Sequence, residues 1–346
     1  MIIGCMRECI PSERERIQQV LETSDKLLFF KDYHELLHST DRNKIDILIG
    51  EPPLDILRSM KGLQWLQMTW AGVDMYMGEG RFPEDVRLTN ASGAFGKIIS
   101  EYILTGLLGM YRKMPDYRVQ MKSGGWQAVS GERTLEGKTA LILGAGDIGC
   151  ETARKLKAFD VRVWGIRRVM REKPLYFDAM YTMEQLDELL PQADIVIACL
   201  PGTEQTRGVL LKKRLLSMKK DAFLVNVGRG SLVGLKDLTE VLEQGHLSGV
   251  VLDVMEQEPL PVEHPLRQME QVMLTPHISG ISWGDIPETR MKILDIFCEN
   301  LCRFRKGEEL LNLVDLKQGY RSNYSASWSC SAQYGQFPPF KHVSTR

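Results

Sequence analysis

The chain has 346 residues, too long for one ordinary domain, so two domains are expected. Hydrophobic residues make up 43% of it, and 44 Lys and Arg against 45 Asp and Glu give a formal net charge of −1. A near-neutral chain has no electrostatic footprint for nucleic acid or an anionic membrane, and no apolar run approaches the roughly 18 residues of a membrane-spanning helix. Met1-Ile2-Ile3-Gly4 lacks a basic stretch before its apolar start, so no signal peptide is expected. Seven scattered cysteines with no CxxC pair fit the reduced thiols of a cytoplasmic protein.

Apolar runs at 2–4, 27–30, 45–49 and 66–70 read as strands, with helical patterns at 12–21 and 54–60 between them. Such alternation indicates a parallel sheet covered on both faces. Residues 98–113 read as a long helix because Ile99, Tyr102, Ile103, Leu107 and Met110 recur at the helical period. A polar, Gly-rich connection at 122–137 follows, and then a second alternation. Its strands fall at 139–143, 161–165, 194–200, 222–227, 248–253 and 271–275. Helices fall at 148–159, from a Thr182–Gln185 capping pattern to 190, and at 286–303. Residues 322–346 hold six Ser, five aromatics, one Val, no Leu or Ile and no acid. So little can be buried there that a disordered tail is expected.

The sharpest motif is Gly144-Ala145-Gly146-Asp147-Ile148-Gly149, directly after a buried strand and opening a helix. In that context GxGxxG is a dinucleotide-binding turn. Gly144 permits the turn, Gly146 admits the pyrophosphate, Gly149 lets helix and strand pack closely, and the helix N-terminus offers free N–H donors. NAD sites place an acid at the end of the next strand to bind the ribose 2′-hydroxyl. Here Arg167 and Arg168 stand at that place, and a guanidinium pairs with a 2′-phosphate where a carboxylate would repel it. NADP(H) is favoured as cofactor, with NAD(H) as the alternative.

Three further motifs follow, each at the C-terminal end of an expected strand: 225–230 around Arg229, 252–259 around Asp253 and Glu258, and 275–280 around His277. With Trp70-Ala71-Gly72-Val73-Asp74, Pro201-Gly202-Thr203-Glu204-Gln205-Thr206 and Asn312-Leu313-Val314-Asp315, they make the chain, from about Leu48 to Tyr320, closely resemble the D-isomer-specific 2-hydroxyacid dehydrogenases. The resemblance implies an oxidoreductase that moves a hydride between NAD(P)H and a small 2-keto acid, giving a D-2-hydroxy acid. His277 would then be the general acid for the carbonyl oxygen, Glu258 its partner, and Arg229 the cation for the substrate. Gly72 and Val73 would bind the substrate carboxylate through their amides. Asp253 would sit near the nicotinamide, and Pro201 and Thr206 on the adenosine–phosphate side.

The fold so implied is α/β, with two doubly wound parallel-sheet domains. A Rossmann cofactor domain (98–284) is inserted in a discontinuous, flavodoxin-like substrate domain (1–97 and 285–321). The family is commonly dimeric through the cofactor domain, so a homodimer is expected, with no nucleic-acid or membrane partner. The other reading that the resemblance offers is a catalytically quiet, dinucleotide-sensing scaffold of the co-repressor type. Lys97 reads as a hinge lysine or a contact for an acidic substrate, and Trp283 as a cap on the pocket or a core anchor. His34-Glu35-Leu36-Leu37-His38 fits the HExxH pattern of zinc proteases, but no third ligand motif follows it. It reads as an exposed helix with Leu36 and Leu37 facing the core.

Overall fold

Ile47, Leu48 and Ile49 have no exposed surface, as befits a central strand of a parallel sheet covered on both faces. The structure is a computed structural model, and it describes residues 1–78, 82–170, 172–281, 286–317 and 320–321. The first sheet contains β1 (Ile2–Cys5), β2 (Lys26–Phe29), β3 (Ile47–Ile49), β4 (Trp65–Gln67) and β5 (Arg87–Thr89). All its pairings are parallel, in the order β2-β1-β3-β4-β5. The second sheet contains β6 (Thr139–Leu143), β7 (Arg162–Ile166), β8 (Ala179–Tyr181), β9 (Ile195–Ala198), β10 (Phe223–Asn226), β11 (Gly249–Leu252) and β12 (Val272–Leu274). It too is wholly parallel, in the order β12-β11-β10-β9-β6-β7-β8. The strand order reverses between β6 and β9, the place where open α/β sheets leave a ligand crevice.

Two long helices join the sheets. Helix Gly96–Tyr111 leaves the first sheet and packs on the second, where a Cβ at Gly106 would lie 2.8 Å from Val251. Its buried face includes Ile99, Ile103, Leu107 and Met110, the expected helical stripe. Helix Pro287–Lys306 returns to the first sheet, and Phe297 stacks on Trp65 with ring centroids 5.5 Å apart. Leu294, Phe297, Cys298 and Leu301 therefore share a core with Ile3, Cys5, Ile47 and Ile49. The two parallel-sheet α/β domains each have their own core.

Several short elements carry no clear pattern in the sequence. Strands β5 and β8, three residues each, were not expected. Helix Met114–Lys122 lies in a stretch that had no assignment and buries no residue. The helix expected from Thr182 to 190 is short and broken, α-helical only over Leu186–Leu189. In helix Tyr33–His38 only Leu36 is buried, and Leu37, expected to face the core, is exposed. His38 Nδ1 there lies 2.8 Å from the His34 carbonyl oxygen. Among the described residues no three His, Cys, Asp or Glu side chains cluster as metal ligands, and no helix is long and apolar enough to cross a membrane. Trp283 and the expected tail at 322–346 lie outside the described residues.

Candidate functional site

The turn after β6 has the geometry that a pyrophosphate site requires. Gly144 adopts φ +104°, a conformation that disfavours a side chain. A Cβ at Gly149 would lie 2.1 Å from the Gly144 carbonyl oxygen, so only glycine lets helix Asp147–Lys157 sit this close to the strand. A Cβ at Gly146 would meet nothing within 4 Å. That glycine is not needed for packing; it leaves the backbone open to a ligand at a helix N-terminus. Ala145 is buried beside it and Ile148 packs against the same core. Asp147 turns its carboxylate away, accepting the Gly96 N–H at 2.7 Å.

Arg167, one residue past β7, donates from Nη2 to the Ala145 carbonyl at 3.2 Å, so its guanidinium lies against the glycine turn. Arg168 is exposed beside it. No carboxylate follows β7 within residues 167–170. Across the crevice, the Thr206 hydroxyl donates to the Pro201 carbonyl at 2.6 Å and accepts the Thr203 N–H at 2.9 Å. Thr206 thus shapes the 201–206 loop, and Pro201 stays exposed on it.

Strands β10, β11 and β12 pair in register, Asn226 with Leu252 and Leu252 with Leu274. Arg229, Asp253 and His277 follow these aligned ends within three residues, so the backbone register alone brings them to one edge. Arg229 then reaches across to the other domain. Its Nε lies 2.9 Å from Asp74 Oδ2, and its Nη1 donates to the Gly228 carbonyl at 2.7 Å. A Cβ at Gly72 would lie only 1.6 Å from Arg229 Nη2, so the guanidinium occupies the space a side chain would need. The N–H groups of Gly72 and Val73 have no hydrogen-bond partner among the described residues. A cation and two unused donors meet here, a combination suited to a carboxylate.

His277 Nδ1 lies 2.9 Å from Glu258 Oε2. The imidazole is about half exposed, at 50%, and Glu258 Oε1 is itself held by the Met255 N–H at 2.9 Å. A carboxylate only accepts, so Nδ1 carries the hydrogen and Nε2 is left to take or give a proton. His277 has φ +56°, a left-handed conformation unusual for a residue with a side chain. The loop is held there by Asp253, whose carbonyl accepts the His277 N–H at 2.9 Å. The buried Asp253 carboxylate accepts the N–H groups of Ile278 and Ser279 at 2.8 and 2.9 Å and the Thr275 hydroxyl at 2.6 Å. Asp253 is thus engaged with the histidine loop through both oxygens.

Tyr102, from the interdomain helix, bonds Thr275 Oγ1 at 2.5 Å, and burial pushes its phenol up to about 12, which keeps it a donor. Tyr102 and Thr275 were not singled out as site residues from the sequence, nor was the pairing of Asp74 with Arg229. Asp74 had a signal, since it adjoins Gly72 and Val73 in one motif; the Tyr102–Thr275 contact spans 173 residues and has none.

Comparison with known proteins agrees with this geometry. Residues 104–279, more than half of the chain, match the family described as D-isomer specific 2-hydroxyacid dehydrogenase, NAD binding domain. A D-isomer specific 2-hydroxyacid dehydrogenase family protein from Aeromonas salmonicida subsp. salmonicida is similar in structure, with TM-score 0.82 and 33% identity over 91% of this chain and 99% of that one. The D-isomer specific 2-hydroxyacid dehydrogenase from Xanthobacter autotrophicus, solved with NADPH and MES, gives TM-score 0.78 and 27% identity over 92% and 99%. Glyoxylate reductase from Korarchaeum cryptofilum is 32% identical over 238 residues, 66% of this chain and 69% of that protein. With more than half of its residues matched by that family's cofactor-binding domain, the chain belongs to the D-isomer specific 2-hydroxyacid dehydrogenase family.

Proposed function

We propose that this protein reduces small 2-keto acids to D-2-hydroxy acids, with NADPH preferred over NADH. The observation that carries this reading is the His277–Glu258 pair at 2.9 Å, one sheet edge with an arginine that meets two unpartnered amides. The substrate carboxylate lies on the Gly72 and Val73 N–H groups and Arg229, which also orients the carbonyl. A reduced nicotinamide, bound with its pyrophosphate on the 144–149 turn, supplies the hydride. Protonated His277 delivers a proton from Nε2 to the carbonyl oxygen as negative charge develops there, and Glu258 holds the ring and balances its charge. In the reverse direction neutral His277 accepts that proton. Asp253 maintains the loop that presents the imidazole.

The preference for NADPH rests on Arg167 beside the glycine turn and Arg168 next to it, with no acid at the ribose position. The reading takes 1–97 and 285–321 as the substrate domain and 98–284 as the cofactor domain, with reaction in the cleft between them. It includes a homodimer through the cofactor domain. Met114, Val119, Met121 and Trp126 are exposed there, an apolar set that a second copy would cover.

A panel of glyoxylate, pyruvate and 2-ketoisocaproate, each with NADPH and NADH, tests the assignment by loss of reduced-nicotinamide absorbance. Turnover with at least one acid, and higher kcat/KM with NADPH, is expected. No turnover with any of them would overturn the reading, and equal kcat/KM for the two cofactors would remove the NADPH preference.

A further inference from the structure

The loop that carries Gly72 is held residue by residue. The Thr69 N–H donates to Glu51 Oε1 at 2.6 Å, and the Trp70 carbonyl accepts the Ala91 N–H at 2.8 Å. The Ala71 carbonyl accepts Asn90 Nδ2 at 2.6 Å. Asn90 is 3% exposed, and its Oδ1 accepts the Ser92 N–H at 3.1 Å. One end of the carboxamide is an acceptor and the other a donor, so the Ser92 bond fixes the donor end toward Ala71.

A second asparagine stands behind the first. Asn312, also 3% exposed, lies past the last long helix and donates from Nδ2 to the carbonyls of Asn90 and Ser92 at 3.2 and 2.8 Å. The Asn90 N–H donates back to the Asn312 carbonyl at 3.3 Å. The two residues are 222 positions apart, so a segment beyond the last long helix braces the residue that holds the loop.

In a trans peptide the C=O and the following N–H point in opposite directions. The Ala71–Gly72 bond is trans. Anchoring the Ala71 oxygen on Asn90 therefore turns the Gly72 N–H away from Asn90, and that N–H has no partner among the described residues. We propose that Asn90, braced by Asn312, is a positioning residue that sets the direction of the Gly72 amide and so forms the cradle for the carboxylate of the keto acid. The proposal rests on the reading of Gly72 and Val73 as that cradle. Without the Asn90 donor the 71–72 peptide plane is free to turn, and a turned plane presents a carbonyl oxygen to the carboxylate. Binding of the acid weakens, whereas proton delivery from His277 does not depend on this peptide.

The test is Asn90→Asp, which keeps the shape and the acceptor for Ser92 but replaces the donor facing Ala71. With glyoxylate and NADPH, KM should rise by roughly 10-fold or more, the scale of one lost bond to a charged group. The inhibition constant of oxamate, an unreactive carboxylate analogue, should rise in parallel. kcat at saturating glyoxylate should stay within about 3-fold, and NADPH affinity should not change, as expected when only uniform binding is lost. Asn312→Ala should move KM and the oxamate constant in the same direction by less, and it carries the test if Asn90→Asp fails to fold. Unchanged KM and oxamate constants in a folded variant would overturn the proposal, and so would equal losses in kcat and NADPH affinity, which mark a general structural defect. If the parent protein turned over glyoxylate and bound oxamate while the variants matched it, only this proposal would fall. If the parent did neither, the reading of the site itself would fall.

Discussion

The segments after β10, β11 and β12 and the loop after β4 supply the two sides of the site by different means. On the cofactor sheet, in-register parallel pairing carries Arg229, Asp253 and His277 to one edge, and Asp253 then holds the histidine loop. On the first sheet, the 69–74 loop takes its shape from side chains away from it in sequence: Glu51, Asn90 and, from the other domain, Arg229. An edge made by register is rigid because the strands behind it are buried. A loop made by side-chain clamps changes with any one of them. The first side suits chemistry that requires a fixed proton donor, and the second suits recognition of the substrate. Variants on the two sides should therefore separate kcat from KM.

The largest effect is expected at the register-built edge. His277→Gln should lower kcat by roughly 10²–10⁴, the range for a lost general acid, with NADPH affinity retained in a fluorescence titration. A near-normal kcat would remove His277 from the chemistry. On the other side, Gly72→Ala puts a Cβ 1.6 Å from Nη2 and 2.9 Å from Cζ of Arg229, so the guanidinium must leave its place. KM for the keto acid should rise on the order of 100-fold with a smaller change in kcat, through loss of charge-assisted bonds. A KM close to that of the parent would mean that Arg229 and Gly72 do not share a ligand.

Cofactor choice is a third and smaller effect. Replacing Arg167 and Arg168 together with Gln should weaken NADPH by about 1–3 kcal/mol and leave NADH nearly unchanged. Equal losses for both cofactors would place the arginines on something other than the 2′-phosphate. The smallest effect is expected at Asp74, since it is 52% exposed and Arg229 28% exposed, and a partly exposed ion pair contributes only about 0.2–1 kcal/mol. Asp74→Asn should raise KM a few-fold, and added salt should narrow the gap between variant and parent. A gap that salt does not change would show that the pair acts by shape and not by charge.

The second sheet and its glycine turn were far more legible in the sequence than the 69–74 loop. Gly144, Gly146 and Gly149 stand within six residues, and their spacing after a buried strand encodes the local turn. The fold class followed from apolar runs such as 139–143, buried at every position. Strands β5 and β8 were not read from their own residues, and each pairs at the edge of its sheet, with one neighbouring strand in it. Leu37 was misassigned because a six-residue helix has too few turns to define its buried face. Asn90 meets Asn312 across 222 residues and Tyr102 meets Thr275 across 173, and no local pattern announces such pairs. Asp253 was singled out through the family resemblance, and the bonds of its carboxylate to the Ile278 and Ser279 amides had no signal in the sequence because only the fold brings those amides to it.

The most direct test of the account is a single turnover: protein saturated with NADPH, mixed with saturating glyoxylate, and followed by the loss of reduced-nicotinamide fluorescence. The parent should show a rapid exponential loss matched by formation of glycolate. His277→Gln should slow that phase by at least about 100-fold, while Asn90→Asp, measured with enough glyoxylate to fill the site, should stay within about 3-fold of the parent rate. No loss in the parent, or equal rates in the parent and His277→Gln, would contradict the account.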